Sequence, residues 1–195
     1  MPTSANQPPR NERRRLSPER IGTAAFALVD SEGLAALSAR RLAATLGCEA
    51  MSLYHHVDGM EAVLDLVVDE ALAQIQTPFS ISREGLLEQS RGYLAFAEGH
   101  PHIFSVVAMR RWRTPRALAL AEAVIEVMLA MGLSQHAALR RARILGAYLN
   151  GAGLALAAWN LAPGSAVQAA AVRKDLDAGL EELIAAIDET RDNQA

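Results

Sequence analysis

The stretch "LGCEAMSLYHHVDGMEAVL" (Leu46 to Leu64) carries the densest group of chemically able side chains in a chain where only 5% of residues are aromatic. Tyr54, His55 and His56 stand in a row, with Ser52 and Cys48 close by. Two chemistries are open to such a set. Cys48 with the histidines suggests a thiol nucleophile, but a lone cysteine beside a helix turn packs as a small hydrophobe, and no carboxylate pair or Cys/His/Asp set faces an apolar stretch elsewhere. The chain therefore reads as a protein that is not an enzyme. The second chemistry is donation: hydroxyls and imidazoles on one outer side can bind anionic oxygens.

Other reactive groupings carry less. Cys48 is the single cysteine, which excludes an internal disulfide and leaves a metal cluster short of ligands. His100 and His102 flank Pro101, which suggests capping as readily as ligation. The run Arg110, Arg111, Trp112, Arg113 could hold an acidic ligand, but solvated arginine after a short helix is the simpler reading. No metal and no cofactor are expected.

The donors need elements to position them. Leu46-Gly47 reads as a helix stop, and an apolar pattern resumes within a few residues. Ser38 caps the helix before it, with Leu42, Ala43 and Leu46 inward; a short helix over 49–55 follows. Two short helices around a glycine turn form a helix-turn-helix pattern, whose second helix presents its first residues to base edges in a major groove. Those residues are Glu49, Ala50 and Met51. Leu53 and Val57 seat the helix on a core, which leaves Ser52, Tyr54 and His56 to donate to phosphate oxygens. Arg40, in the first turn of the preceding helix, reaches a guanine or a phosphate. His55 is assigned to packing. The plainer alternative is that Tyr54 and His56 cover a hydrophobic edge.

The remaining pattern is helical throughout. Ser17-Pro18 opens a first helix ending at Gly33. Met60, Val63, Leu64, Val67, Val68, Ala71, Leu72 and Ile75 trace a fourth, closed by Thr77-Pro78. "SREGLLEQSRGYLAFAEGHP" and "HIFSVVAMRRW" are two more. Thr114-Pro115 opens a buried helix to Met131, Ser134 caps a long one to about Leu161, and after "PGS" a last amphipathic helix carries Leu176, Leu180, Leu183, Ile184 and Ile187. With no alternating strand pattern, the fold class is all-α. Three regions follow: an Arg-rich arm over 1–16, a helix-turn-helix head over 17–60 and a helical body over 61–195.

Hydrophobic residues at 51% and charged residues at 21% support a sizeable core and exclude global disorder. No run reaches the roughly 18 uninterrupted apolar residues of a membrane span: "GAYLNGAGLALAAWNLA" is broken by Asn150 and Asn160. The start "MPTSANQPPRNERRR" lacks the apolar region of a secretory signal, so a cytoplasmic protein with no membrane partner is expected. Net charge is −3, which argues against a nucleic-acid partner, but four arginines cluster within 10–15.

Residues 17–76 resemble the DNA-binding head of the TetR/AcrR family of bacterial regulators. The resemblance rests on "LSARRLAATLG", the "LYHHV" ending closest to the tetracycline-repressor branch, and "GMEAVLDLVVDEAL". It implies a homodimeric, ligand-responsive regulator, most often a repressor, on a near-palindromic operator in double-stranded DNA. It also implies base-facing roles for Arg40, Glu49, Ala50 and Met51, and phosphate contacts for Ser52, Tyr54 and His56. Met60 departs from the family's usual phosphate-binding lysine, and Asp58 replaces a commonly basic residue. The metal-holding histidine of tetracycline-binding members would fall near Val107.

Two further expectations concern the body. Ala142, Gly146, Asn150, Gly153 and Ala157 form a stripe of small residues suited to close helix pairing in a dimer, or to packing inside one subunit. Tyr93, Phe96, Phe104, Met109, Met128, Tyr148 and Trp159 interrupt aliphatic helices and are the candidate lining of a pocket for a hydrophobic small molecule, with Asn150 as polar anchor. The rival is a small helical ligand-binding enzyme or carrier with a vestigial head.

Overall fold

Hydroxyl caps start most of the helices. Ser17 accepts the amide of Arg20 at the start of α1 (Pro18–Glu32), and Ser38 that of Arg41 at α2 (Ala39–Leu46). Ser82 accepts from Gly85 at α5 (Arg83–Gly99), Thr114 from Ala117 at α7 (Pro115–Ala130), and Ser134 from Ala137 at α8 (Gln135–Leu161). Each satisfies one of the orphan amides of a first turn. Proline in the first turn of α1, α7 and α6 (Pro101–Met109) costs no hydrogen bond there. Between them lie α3 (Ala50–Leu53) and α4 (Gly59–Gln74); α9 (Ala166–Glu189) closes the chain. This computed structural model describes residues 16–75, 80–162 and 166–189. The Arg-rich arm before Leu16, the Thr77-Pro78 stop and the break at 163–165 lie outside the described residues, which contain no strand.

The helices bury two cores. The first joins Ile21 and Val29 of α1, Leu42 of α2, Leu53 of α3, and Val67 and Leu72 of α4 to Phe96 of α5 and Ile103 and Phe104 of α6. It runs without a break from the head into the body. The second joins Leu86 and Leu94 of α5, Met128 of α7, Leu145 and Leu156 of α8, and Leu180 and Ile184 of α9. Truncating a fully buried leucine such as Leu42 or Leu156 to alanine costs about 2–5 kcal/mol, because the lost contacts leave a cavity.

α8, at 27 residues, is long and apolar enough to cross a membrane by length and composition. Its two asparagines point to another role. Asn150 accepts a hydrogen bond from the Tyr93 hydroxyl at 2.8 Å, and Asn160 donates to the Glu98 carbonyl at 2.8 Å. Both polar groups are thus matched to α5, and α8 packs against α5, α6, α7 and α9 as the spine of a bundle.

The stripe of small residues on α8 faces inward. Gly153 and Ala157 are buried, and a side chain at 153 would collide with the Phe104 ring. Ala142, Gly146 and Asn150 continue the stripe along a cavity wall. At Gly153 the close approach that glycine permits is filled by α6 of the same chain, which favours packing inside one subunit at that end of the stripe.

Candidate nucleic-acid interface and body cavity

Gly47 makes the turn between α2 and α3. At φ 69° and ψ 37° it occupies the left-handed region that a side chain penalises, and its amide closes on the Ala43 and Ala44 carbonyls. Cys48 follows with its amide on Ala43 O at 3.0 Å and packs half-buried against the first core. α2 buries Leu42 and Ala43 and leaves Arg40 and Arg41 exposed. Arg41 is held by the Glu32 carboxylate. Arg40 has no ion-pair partner among the described residues.

α3 is shorter than the sequence suggests: one turn, Ala50–Leu53, instead of 49–55. Leu53 and Val57, 1% and 8% exposed, must both reach the core, and the chain meets that demand by tightening. The Tyr54 amide bonds Met51 O at 3.2 Å and the His56 amide bonds Leu53 O at 2.9 Å, both closing three-residue steps. Leaving the helix at Leu53 also breaks the periodicity that assigned His55 to packing: His55 is exposed beside Tyr54 and His56. On the outer surface stand Glu49, Met51 (70% exposed), Tyr54 and His56, with Ala50 and Ser52 half-buried. Six of the seven candidate contacts are therefore gathered on one turn, with Arg40 on the adjoining helix. At the next helix start Asp58 is exposed and makes no capping bond, while Met60 packs on the first core.

The body holds a cavity of about 340 Å³ between α5, α7 and α8. Leu86, Ser90 and Tyr93 contribute from α5, Leu120 and Val124 from α7, Leu145, Leu149 and Asn150 from α8, and Arg110 and Trp112 from the segment after α6. The walls are mainly apolar. Ser90 bonds the Leu86 carbonyl at 2.7 Å, and Trp112 Nε1 the Val107 carbonyl at 3.3 Å. Burial raises the pKa of the Tyr93 hydroxyl well above the ordinary phenol value of 10.0, so it stays a donor to Asn150.

Of the seven residues put forward for a pocket, only Tyr93 lines this cavity, joined by the expected anchor Asn150. Phe104 is fully buried behind Tyr93, ring edge on ring at 5.1 Å. Phe96 packs in the first core, 4.6 Å from the His100 ring and 6.5 Å from that of Phe26. Met128 is fully buried in the second core, and the Tyr148 hydroxyl donates to the Leu176 carbonyl of α9. Met109 is 80% exposed at the end of α6, and Trp159 is 37% exposed near the end of α8. Gln89 and Ser90 were missed, and Arg110 and Trp112 were read only as part of the arginine run; the polar pair Gln89 and Ser90 on an otherwise apolar face of α5 was the available signal.

The arginine run also resolves differently from the solvated reading. Arg111 and Arg113 are exposed, but Arg110 turns back onto α4, reaching Glu61 Oε2 at 3.0 Å and Asp65 Oδ1 at 2.7 Å. His100 stands at the N-cap position of α6 without a side-chain capping bond, and its Nδ1 lies 2.9 Å from Asp30 Oδ2 of α1. Val107 is fully buried in the first core, and no group of three His, Cys, Asp or Glu among the described residues could hold a metal.

No protein-family model matches the chain. The HTH-type transcriptional repressor DrrR1 of Streptomyces coeruleorubidus is 31% identical over 153 residues, covering 76% of this chain and 57% of that protein. An HTH-type transcriptional regulator of Saccharopolyspora erythraea is 29% identical over 147 residues, 74% of this chain and 62% of its own length. The chain thus spans less than two thirds of these curated relatives. Among solved structures, apo ActR of Streptomyces coelicolor superposes with a TM-score of 0.75 at 24% identity, over 90% of this chain and 98% of ActR. A TetR variant of Acinetobacter baumannii in complex with minocycline does so at 0.75 and 23%, over 91% and 99%. ActR has also been solved with actinorhodin, at a TM-score of 0.75 and 23% identity over 88% and 95%. The relatives are transcriptional regulators and not enzymes.

Proposed function

We propose, from its TetR-type all-α fold, that this chain is a homodimeric transcriptional repressor released from a near-palindromic operator by a hydrophobic small molecule. The carrying observation is the α2–α3 unit: a left-handed glycine turn, an inner face pinned by Leu42, Leu53 and Val57, and an outer face of exposed hydrogen-bonding groups. Arg40, Glu49, Ala50 and Met51 face bases; the exposed Met51 thioether suits an apolar contact such as a thymine methyl. Ser52, Tyr54 and His56 hold phosphates, and the arm over 1–16 adds cationic contacts in place of the lysine absent at Met60. Residues 17–60 act as the DNA-binding head and 61–195 as the ligand and dimer body of a cytoplasmic protein.

Two heads must sit about 35 Å apart to enter successive major grooves. With the small-residue stripe turned inward, the outer face of α8 is the face left for a partner copy: Ile144, Ala147, Gly151, Ala158 and Leu161 are exposed at helical spacing. The cavity supports the ligand half of the proposal, as do the minocycline and actinorhodin bound by the TetR and ActR neighbours. A ligand can release DNA only if it binds the two head spacings unequally.

Fluorescence anisotropy with duplex DNA taken from upstream of the protein's own gene tests the proposal. Tight, salt-dependent binding to one near-palindromic segment, far above that for random duplex, is the expected result. Equal affinity for both would remove the regulator reading in favour of a helical carrier.

A further inference from the structure

The charges on the cavity wall do not balance. Arg110 and Arg143 line it, and no aspartate or glutamate does. Arg110 is neutralised from behind, where Nη1 reaches Glu61 Oε2 at 3.0 Å and Nη2 reaches Asp65 Oδ1 at 2.7 Å. Arg143 has no ion-pair partner among the described residues, unlike Arg91, which Asp177 and Glu181 hold, or Arg173, which Glu98 holds. Its own helix supplies none. α8 contains no acidic residue from Gln135 to Leu161, and the residues one turn away from Arg143 are Leu139, Arg140, Gly146 and Ala147. The α7 acids Glu122 and Glu126 are exposed and lie outside the lining. Because Arg143 lines the cavity and is also exposed, it stands at the rim, where the wall meets solvent.

We propose that the cavity takes an apolar carboxylic acid, with its hydrocarbon part inside and its carboxylate on Arg143 at the rim. This rests on the ligand-controlled reading above and narrows the hydrophobic effector to one with a single negative end. Below the rim the wall suits the apolar part: Leu139, Ala142, Leu145 and Leu149 line it from α8, and Val124 and Ile125 from α7. Three polar groups of the wall are already engaged, the Tyr93 hydroxyl with Asn150, that of Ser90 with the Leu86 carbonyl, and the Trp112 indole with the Val107 carbonyl. A charge placed among them would lose its water and gain no free partner, so the acid belongs at the rim. From Arg143 to Asn150 the helix rises by about 10 Å, the reach of a medium-length alkyl chain. Between them Gly146 leaves the wall hollow: a Cβ there would meet no atom within 4 Å. The arginine fork takes a carboxylate through two parallel N–H···O bonds, which an amide or hydroxyl of the same shape cannot match. Solvent at the rim screens the pair but spares the acid full desolvation.

The test uses the full chain and three probes on one flexible frame: decanoate, decanamide and decylammonium. Calorimetric titration reads binding, and anisotropy with the near-palindromic segment found as above reads release of DNA. Wild type should bind decanoate about fivefold more tightly than the amide, the worth of a partly solvated charged pair, and decylammonium least tightly of the three. Raising the salt from about 0.05 M to about 0.5 M should shrink that preference. Arg143 is exposed and unpaired, so its replacement leaves the fold intact. Arg143→Gln should bring decanoate down to the affinity of the amide and leave the amide unchanged. Arg143→Lys should keep most of the preference, and Arg143→Glu should turn it towards decylammonium. Gly146→Leu extends into open space and should weaken all three probes. Decanoate bound to wild type no better than the amide would overturn the acidic class. A preference that survives Arg143→Gln would overturn the anchor, and undiminished binding to Gly146→Leu the cavity as its place. Each of these leaves ligand control standing. Tight binding of decanoate in the cavity with the operator still occupied would remove ligand control and keep the acid site.

Discussion

Phe104 fills the volume that any side chain at Gly153 would need: a Cβ built at 153 lies within collision range of two ring atoms and in tight contact with a third. Since Phe104 is fully buried and also stacks edge-on with Tyr93, the ring cannot swing aside. Gly153→Ala gains helix propensity of about 1 kcal/mol but overpacks the core at a cost of about 1–3 kcal/mol. The expected net effect is a lower melting temperature, measured by calorimetry. Adding Phe104→Leu should recover much of the loss, because the two residues share one space.

Arg40→Ala and Tyr54→Phe should each weaken operator binding by about 1–3 kcal/mol if their contacts are well made. Both side chains are exposed, so thermal stability should stay within about 0.5 kcal/mol of wild type. Anisotropy titrations beside melting curves separate the two effects. A fall in stability that matches the fall in binding would remove the contact role.

Tyr93 ties stability to alkaline pH. Burial raises its pKa in the folded protein, so the unfolded chain loses this proton first. Its contribution is intact below the ordinary value of 10.0 and is lost as pH rises beyond it towards the folded value. Urea midpoints should decline from about pH 10 upwards, and Tyr93→Phe should flatten that decline. Tyr93→Phe also leaves Asn150 Oδ1 without its donor, which lowers stability at neutral pH.

Asp177 works in the opposite direction. Its hydrogen bonds from Arg91 hold the carboxyl below its ordinary 3.8, so the stabilisation is present above that value and is lost as pH falls through the folded pKa. Arg91 joins α5 to α9 through Asp177 and Glu181. Acid should therefore loosen α9 first, seen as faster amide exchange over Ala166–Glu189 below about pH 4. Asp177→Asn should already show that faster exchange at neutral pH.

Helix starts and stops were the legible part of this chain. Ser17, Ser38, Thr114 and Ser134 cap where their position before an apolar period indicates, and Gly33 and Gly47 terminate as read. These are local effects, settled within one turn. What failed depends on which neighbour a face meets. Periodicity placed Gly146, Asn150 and Gly153 on one line of α8, but only packing against α5 and α6 turns that line inward. Likewise Phe96, Phe104 and Met128 are bulky because the core needs volume, a demand that sequence spacing cannot tell from a ligand wall. Arg110 reads as solvated in the sequence because its partners, Glu61 and Asp65, lie more than forty residues upstream.

The unbroken first core limits how this protein can be recombined. Ile21, Phe26 and Val29 of α1 share buried surface with Phe96, Ile103 and Phe104 of the body, and Asp30 is bound to His100 across the same seam. A chimaera that grafts another regulator's head onto this body would bring a foreign α1 surface against an α6 shaped for these side chains. New operator specificity is therefore better transplanted as single residues on α2 and α3 than as a cassette. For the same reason, drift at the seam must proceed by matched changes on both sides, so that head and body diversify in step.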